Sequence, residues 1–422
     1  MALDPERLKS GPRVLILSDE APQTGTAGGL LLHRLFSAYP PDRIRVVTHH
    51  IPPVGFPLPA VAYRKLPLRW QKLERSRFHR WKRSLRALGY VPQPTPEEID
   101  GLTDGFRPDL VLCVMQHAAY YDAAHEYARS KGLPLVTLVH DVNEEFEPVF
   151  PWLSGAARRR DAAFYRYASR RLCISPEMER LCASLYGVPG TVLYPNRDPG
   201  LQARPLDLSA KLLHPPGLTL GFAGNLNFGY GEGILQMLPA LRAAGARVIV
   251  YGRPPAGSAA PLLEADDICE LRGFVPSAVA WEGLQRDCDA VWLPYPDLGG
   301  TMERLYRHHF PSKLPEYLAL GMPVIVTGPA YATGLCWARQ NLSSELCAGN
   351  IATLTELLHR LAAQPARRRH LAALGLQVGN RDFEPSAIVA AFHRHLADSV
   401  VQGPPSVGTA SAAPEAATSR SG

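Results

Sequence analysis

A lysine and a glutamate stand three residues apart in FPSKLPEYLALGMPVIVTGP, Phe310 to Pro329, ahead of an apolar run. Lys313 and Glu316 have helical spacing, with Ser312 in front of them and Gly321 behind. Ser312 can cap the helix and bond a phosphate oxygen, Lys313 supplies a point charge, and Glu316 accepts from paired hydroxyls. These are the groups that a phosphorylated, hydroxylated ligand needs. They also have a plain structural use, since a Glu in the first turn suits the helix dipole and a Lys is commonly solvated. Two further segments offer phosphate chemistry: DEAPQTGTAGG, from Asp19, and FAGNLNFGYGEG, from Phe222. Gly28, Gly29 and Gly224 in them let a backbone approach a ligand closely, and helix N-termini offer unpaired N–H groups. Glycine in such turns also serves packing alone. His140 and Asp141, in VHDVNEEF, stand at a strand end, where a lone His is more often a satisfied structural group, although a neutral imidazole can both donate and accept at a hydroxylated ligand.

Such groups need a frame. Val14–Ser18, Arg45–Thr48, Leu110–Met115, Leu135–Val139 and Leu172–Ile174 read as strands buried on both faces, with helix-length segments between them. The proline-rich stretch from Pro199 to Pro216 interrupts this rhythm, which restarts in Leu218–Phe222, Arg247–Tyr251, Glu270–Phe274, Ala290–Leu293 and Pro323–Thr327. The pattern predicts an α/β fold with two Rossmann-like, doubly wound domains facing a central cleft, the general ligand position in open α/β sheets. The expected divisions are an N-terminal domain at 1–198, a linker at 199–216, a second domain at 217–380, a C-terminal helix at 381–401 and a disordered tail at 402–422.

Composition narrows the function. With 422 residues, 46% hydrophobic and 20% charged, the chain is long enough for two cores, and no apolar run reaches membrane-spanning length. The N-terminus lacks the apolar core of a secretory signal, so a cytoplasmic protein is expected. Seven scattered cysteines without a C-x-x-C pair argue against a disulfide framework or a zinc cluster, and are expected to be buried and reduced. A net charge of +6 does not by itself imply a nucleic-acid partner.

The stretch FPSKLPEYLALGMPVIVTGP resembles the nucleotide-sugar signature of glycosyltransferases with two Rossmann domains (the GT-B fold), in particular the retaining family-four-like, or group 1, enzymes. RRLCISPEMERLCASLYGVPGTVLYPNRD and ELRGFVPSAVAWEGLQRDCDAVWLPY are similar to that family's passage into the linker and to its nucleobase wall. The resemblance implies a Ser-Lys pair at the donor diphosphate (Ser312, Lys313) and a Glu on the ribose hydroxyls (Glu316). It also implies a His touching the transferred sugar (His140, with Asp141 beside it) and backbone at Phe274 and Val275 reading the base. The full implied donor set is Gly28, Gly29, Asn225, Arg253, Phe274, Val275, Asp297, Ser312, Lys313, Leu314 and Glu316. No metal and no cofactor beyond the nucleotide-sugar substrate is implied.

The chain departs from the family at two places. The acidic residue usual eight positions before the ribose Glu is His308 here, with Asp297 as the nearby acid that could substitute. The Arg and Lys usual after the first strand of the second domain are replaced by Asn225 and a glycine-rich run, which shifts diphosphate neutralisation to Lys313 and Arg253. The expected function is sugar transfer from a nucleotide diphosphate donor to an acceptor hydroxyl, with retention implied by the resemblance, in glycan or glycolipid assembly. Two alternatives stay open. One is a nucleotide-sugar epimerase using Asp141, Glu144 and Glu145, and the other is a nucleotide-sugar-binding scaffold without catalysis. From Tyr63 to Tyr90, ten Lys and Arg face the single acid Glu74. On a helix Trp70, Leu73, Phe78, Trp81, Leu85 and Leu88 share a stripe, which predicts a basic amphipathic helix lying on an anionic membrane surface.

Overall fold

A computed structural model describes residues 11–67, 78–141, 149–208, 217–227, 229–253 and 259–404. The first half supplies β1 (Val14–Leu17), β2 (Ile44–Thr48), β3 (Ala62–Lys65), β4 (Leu110–Val114), β5 (Leu135–Val139), β6 (Arg170–Cys173) and β7 (Thr191–Val192). They form one parallel sheet in the order β3-β2-β1-β4-β5-β6-β7. The second half supplies β8 (Thr219–Ala223), β9 (Arg247–Tyr251), β10 (Cys269–Leu271), β11 (Ala290–Pro294), β12 (Val324–Thr327) and β13 (Cys347–Ala348). Their parallel order is β10-β9-β8-β11-β12-β13. Strands such as Leu110–Val114 and Leu135–Val139 are buried at every position, as a sheet covered by helices on both faces requires. In each sheet the strand order reverses beside the first strand, at β1/β4 and at β8/β11. A crevice opens there at the strand C-termini.

The helices that frame these crevices carry their own stop and start signals. Helix α1 (Ala27–Phe36) follows β1 and is capped by Thr26, whose hydroxyl accepts from Gly29 N at 3.1 Å. Of the stretch expected to form one helix from Tyr63 to Tyr90, Ala62–Lys65 is instead the edge strand β3, and helix α2 covers only His79–Ala87. The sequence AYRK has one buried residue, which is enough to pair at an edge but too little to stand out as an apolar run. Trp70, Leu73 and Arg77 lie outside the described residues, as do Glu144 and Glu145.

The chain crosses between domains twice, after β7 and again near residue 384. Helices α3 (Pro365–Asp382) and α4 (Pro385–Gln402) flank the second crossing, and α4 returns to pack on α1 and on β4 and β5. Phe392 meets Phe36 edge-on at 5.1 Å, and His393 shares a hydrogen bond with Leu35 O at 2.9 Å. The two crossings also touch one another: Tyr194 packs on Phe383 with ring centres 5.2 Å apart, and Arg197 donates to Gly379 O at 3.4 Å. All seven cysteines are free, five of them buried and Cys336 and Cys347 half-buried. Among the described residues no helix is long and apolar enough to cross a membrane.

Candidate active site

On the second domain the candidate residues gather where β8 ends. Lys313 runs across Gly224: a Cβ there would stand 2.2 Å from Lys313 Cε, and Gly224 has φ +139. That close approach explains the glycine. Lys313 Nζ lies 4.0 Å from the ring centre of Tyr230 and 5.3 Å from that of Phe222. Tyr230 opens helix α5 (Tyr230–Ala243), whose N-cap, Gly229, offers no side-chain bond to the first turn. Gly231 N of the first turn donates to Leu226 O at 3.0 Å, and the positive end of the helix shares one corner with the Lys313 cation, which suits an anion. Burial pulls the Lys313 ammonium down to about 8, against the upward pull of Glu316. Tyr317 clasps the strand end, accepting from Ala223 N at 2.8 Å and donating to Ala223 O at 3.2 Å.

Lys313 and Glu316 belong to a short helix at Leu314–Ala319, in which Leu314 is buried and Gly321, at φ +70, lies just past the end. The capping role expected of Ser312 is not realised: the N-cap is Lys313, without a side-chain cap bond, and Ser312 is exposed. Pro315 inside the first turn lacks an N–H, so there is less there for a cap to satisfy. Glu316 is buried, and its Oε1 pairs at 2.8 Å with Nη1 of Arg34, a residue of α1 in the other domain. Glu316 Oε2 is buried with no hydrogen-bond partner in the protein.

Across the cleft, His140 follows β5 and Gln116 follows β4. His140 Nε2 lies 3.2 Å from Gln116 Oε1 and 3.4 Å from Asp141 Oδ2. A Cβ at Gly28 would sit 3.0 Å from Glu20 Cδ and 3.1 Å from His140 Cε1, so the bare first turn of α1 lets Glu20 and the imidazole converge. At Gly29 a Cβ would instead strike Gln23 Cγ at 2.5 Å and Ala21 O at 2.8 Å, which is a packing need. Asp141 Oδ1 reaches His309 Nδ1 of the second domain at 2.9 Å. Burial works to raise the Asp141 carboxyl, but His140 and the bond with His309 outweigh it and hold it down to about 2.

The remaining candidates lie around the rim. Asn225 is exposed and turns its Oδ1 back to Asn227 N at 2.9 Å. Arg253 lies with its guanidinium 5.0 Å over the exposed Phe274 ring, beside the half-buried Val275. Asp297 is exposed and tied to neighbours of its own domain, accepting from Tyr331 OH at 3.2 Å. Among the described residues its hydrogen bonds go to Tyr331 and Gln236 and to none of the other candidates. The sequence reading did not include Arg34, His309, Glu20 or Gln116. Only HHFPSK, next to the nucleotide stretch, carried a signal for His309.

The domain match and the fold define a class. Residues 68–199 match the family model Glycosyltransferase Family 4. Among solved structures, the chain superposes on sucrose-phosphate synthase from Thermosynechococcus elongatus at TM-score 0.64 and 15% identity, covering 92% of this chain and 100% of that one. Anabaena HepE, solved in complex with UDP and glucose, gives TM-score 0.63 at 14% identity over 92% of this chain and 100% of that one. WaaG, a glycosyltransferase involved in lipopolysaccharide biosynthesis, gives 0.54 at 14% over 91% and 99%. At these identities the likeness is one of fold. No curated protein matches the chain by sequence. Residues 68–199 thus match a glycosyltransferase family model, and the chain as a whole has the two-Rossmann-domain (GT-B) fold.

Proposed function

We propose that the protein transfers a sugar from a nucleoside diphosphate donor to an acceptor hydroxyl in the cleft between its two sheets. The observation that carries this reading is the meeting of Lys313, the start of α5 and the unpartnered Oε2 of Glu316 on one side, with Gly28 and His140 facing the same cleft. In this reading the cation and the helix terminus stabilise the departing diphosphate, Glu316 accepts from the ribose, and His140 holds the sugar. The acceptor attacks on the leaving-group face, which gives retention, and no protein nucleophile is required. Arg253 over Phe274 supports a base site at the rim. Asp141 is already engaged by His140 and His309, which leaves it poorly free to act as the acid or base of an epimerase.

Thermal shifts with UDP-, GDP-, ADP- and TDP-sugars test the reading, since a ligand at about 100 times its dissociation constant stabilises by about 2.7 kcal/mol. Slow release of free sugar from the donor that binds is the expected outcome. A shift with no turnover points to a binding scaffold, and a 2-epimer points to an epimerase. Retention is checked by the anomeric configuration of the product.

We further propose that α2 meets an anionic membrane surface through its outward-facing aromatic side chains. The helix buries Lys82 (2% exposed), Ser84 and Arg86 against the protein and turns Trp81 (57% exposed) outward. Its charges are spent partly inside, as in the Arg86–Asp122 pair at 2.8 Å. Trp81 packs edge-on against Phe150, which stacks on Trp152 (75% exposed), with Arg80 4.9 Å above the Phe150 ring. An exposed aromatic platform flanked by cations suits the interface of an anionic bilayer. Flotation with anionic vesicles is expected to carry the protein, and Trp81→Ala with Trp152→Ala to weaken it. A protein that stays behind at low salt has no such contact.

A further inference from the structure

Arg34 lies far from the nucleotide stretch in sequence, yet its guanidinium forms an ion pair with the Glu316 carboxylate. Nη1 donates to Asn196 O at 2.8 Å and lies 2.8 Å from Glu316 Oε1 in an ion pair. Nη2 leans on Asp198 Oδ2 at 3.4 Å. The guanidinium is thus anchored to the linker before it reaches Glu316, so its position is fixed from both sides. The carboxylate is held in turn: Oε1 faces Nη1 of Arg34, and Oε2 is buried without a hydrogen-bond partner among the described residues.

We propose that Arg34 is a positioning residue of the donor site, holding Glu316 by one oxygen so that the other is aimed to accept from the ribose hydroxyls. The inference rests on the reading of Glu316 as the ribose acceptor. Burial alone pushes the Glu316 carboxyl up, and Asp198 adds to that push, while Arg34 draws it back down. Arg197 and Lys313 are the other charged groups facing it. A carboxylate kept charged and single-oriented in a buried site forms charge-assisted bonds to a diol that a free rotor would make less often. Through Arg34, the first domain contributes to a site that otherwise belongs to the second.

The test compares a nucleoside diphosphate with its 2′,3′-dideoxy analogue, using the base that wild-type protein binds best. Wild type is expected to prefer the ribose form by about tenfold or more, taking one charge-assisted bond as the unit. In Arg34→Ala that preference should collapse toward unity while affinity for the dideoxy form changes less than threefold. Glu316→Gln should give the same collapse, and Arg34→Lys, which keeps the cation, an intermediate ratio. Should Arg34→Ala not fold, Arg34→Lys carries the test, its ratio expected below that of wild type. A loss equal for both ligands marks a merely structural residue and overturns the inference, as does an unchanged ratio. A rise in nucleotide affinity on removing Arg34 also overturns it, because Arg34 would then be competing with the ribose. Wild type that binds nucleotide without preferring the ribose form removes the role of Glu316. Wild type that binds no nucleoside diphosphate removes the proposed function as well.

Discussion

At the scale of single residues, Lys313 ties the site to pH. Its ammonium is drawn down to about 8 from an ordinary value of 10.5, chiefly by burial. Between those values the unfolded chain binds more protons than the folded one, so folding stability rises with pH across that window, and the charged form is what burial penalises. Ligand binding runs the other way if Lys313 meets the diphosphate as a cation. Affinity for a nucleoside diphosphate should hold below pH 8 and then fall by up to about tenfold per pH unit. Lys313→Met should bind weakly and show no such fall in a titration from pH 7 to 9.5. His140 makes the complementary prediction, since its contacts are Gln116 and Asp141 and not the phosphate corner. His140→Ala should lower kcat by roughly 10–100-fold, on the order of a lost buried hydrogen bond, with nucleotide affinity nearly unchanged. Equal losses in kcat and in affinity would place His140 at the diphosphate.

At the scale of elements, helix α5 holds the phosphate corner through a contact that leaves no space. A Cβ at Gly233 would stand 2.7 Å from Pro294 O and 3.1 Å from Pro296 N, both backbone atoms after β11. Gly233→Ala should therefore push α5 off the sheet and cost about 1–3 kcal/mol in a denaturant titration. The strands themselves were legible because each buried run is short, apolar and bounded by turn residues. Val14–Leu17 and Val324–Thr327 needed no partner to be seen. The edges were not. Ala62–Lys65 has polar residues facing water, while Thr191–Val192 and Cys347–Ala348 are two residues long and owe their pairing to the neighbour already in place. Helix α2 was misread for a related reason. Phe78, Trp81 and Leu88 of its apolar stripe are exposed, but Arg86, expected in water beside the stripe, enters the protein because Asp122 and the Tyr121 ring receive it there. In the site, Lys313, Glu316 and Gly28 could be named from residue type and local spacing. Arg34 and His309 could not, because each acquires its role only from a partner in the opposite domain.

At the scale of the whole molecule, the first domain is finished by the last helix. Phe392 is fully buried between the two, against Phe36. Phe392→Ala should cost about 3–5 kcal/mol, although it lies roughly as far along the chain from β1 as the fold allows. Calorimetry should show the loss in the transition of the first domain, with the melting of the second sheet little changed. A single transition shifted as one would mean that the two domains unfold together.

The two crossings between the domains lie side by side, joined by Tyr194 on Phe383 and Arg197 on Gly379. A body held by one tether can swivel and drift. Held by two tethers fastened to each other, it keeps essentially one freedom, rotation about the line through them. Asn196 and Asp198, which brace Arg34, flank Arg197 at the first crossing. Points near an axle move little while points at the rim sweep wide. The Arg34–Glu316 pair is therefore placed to stay in register through opening and closing, and so is His309, whose neighbour Phe310 packs on both Tyr194 and Phe383.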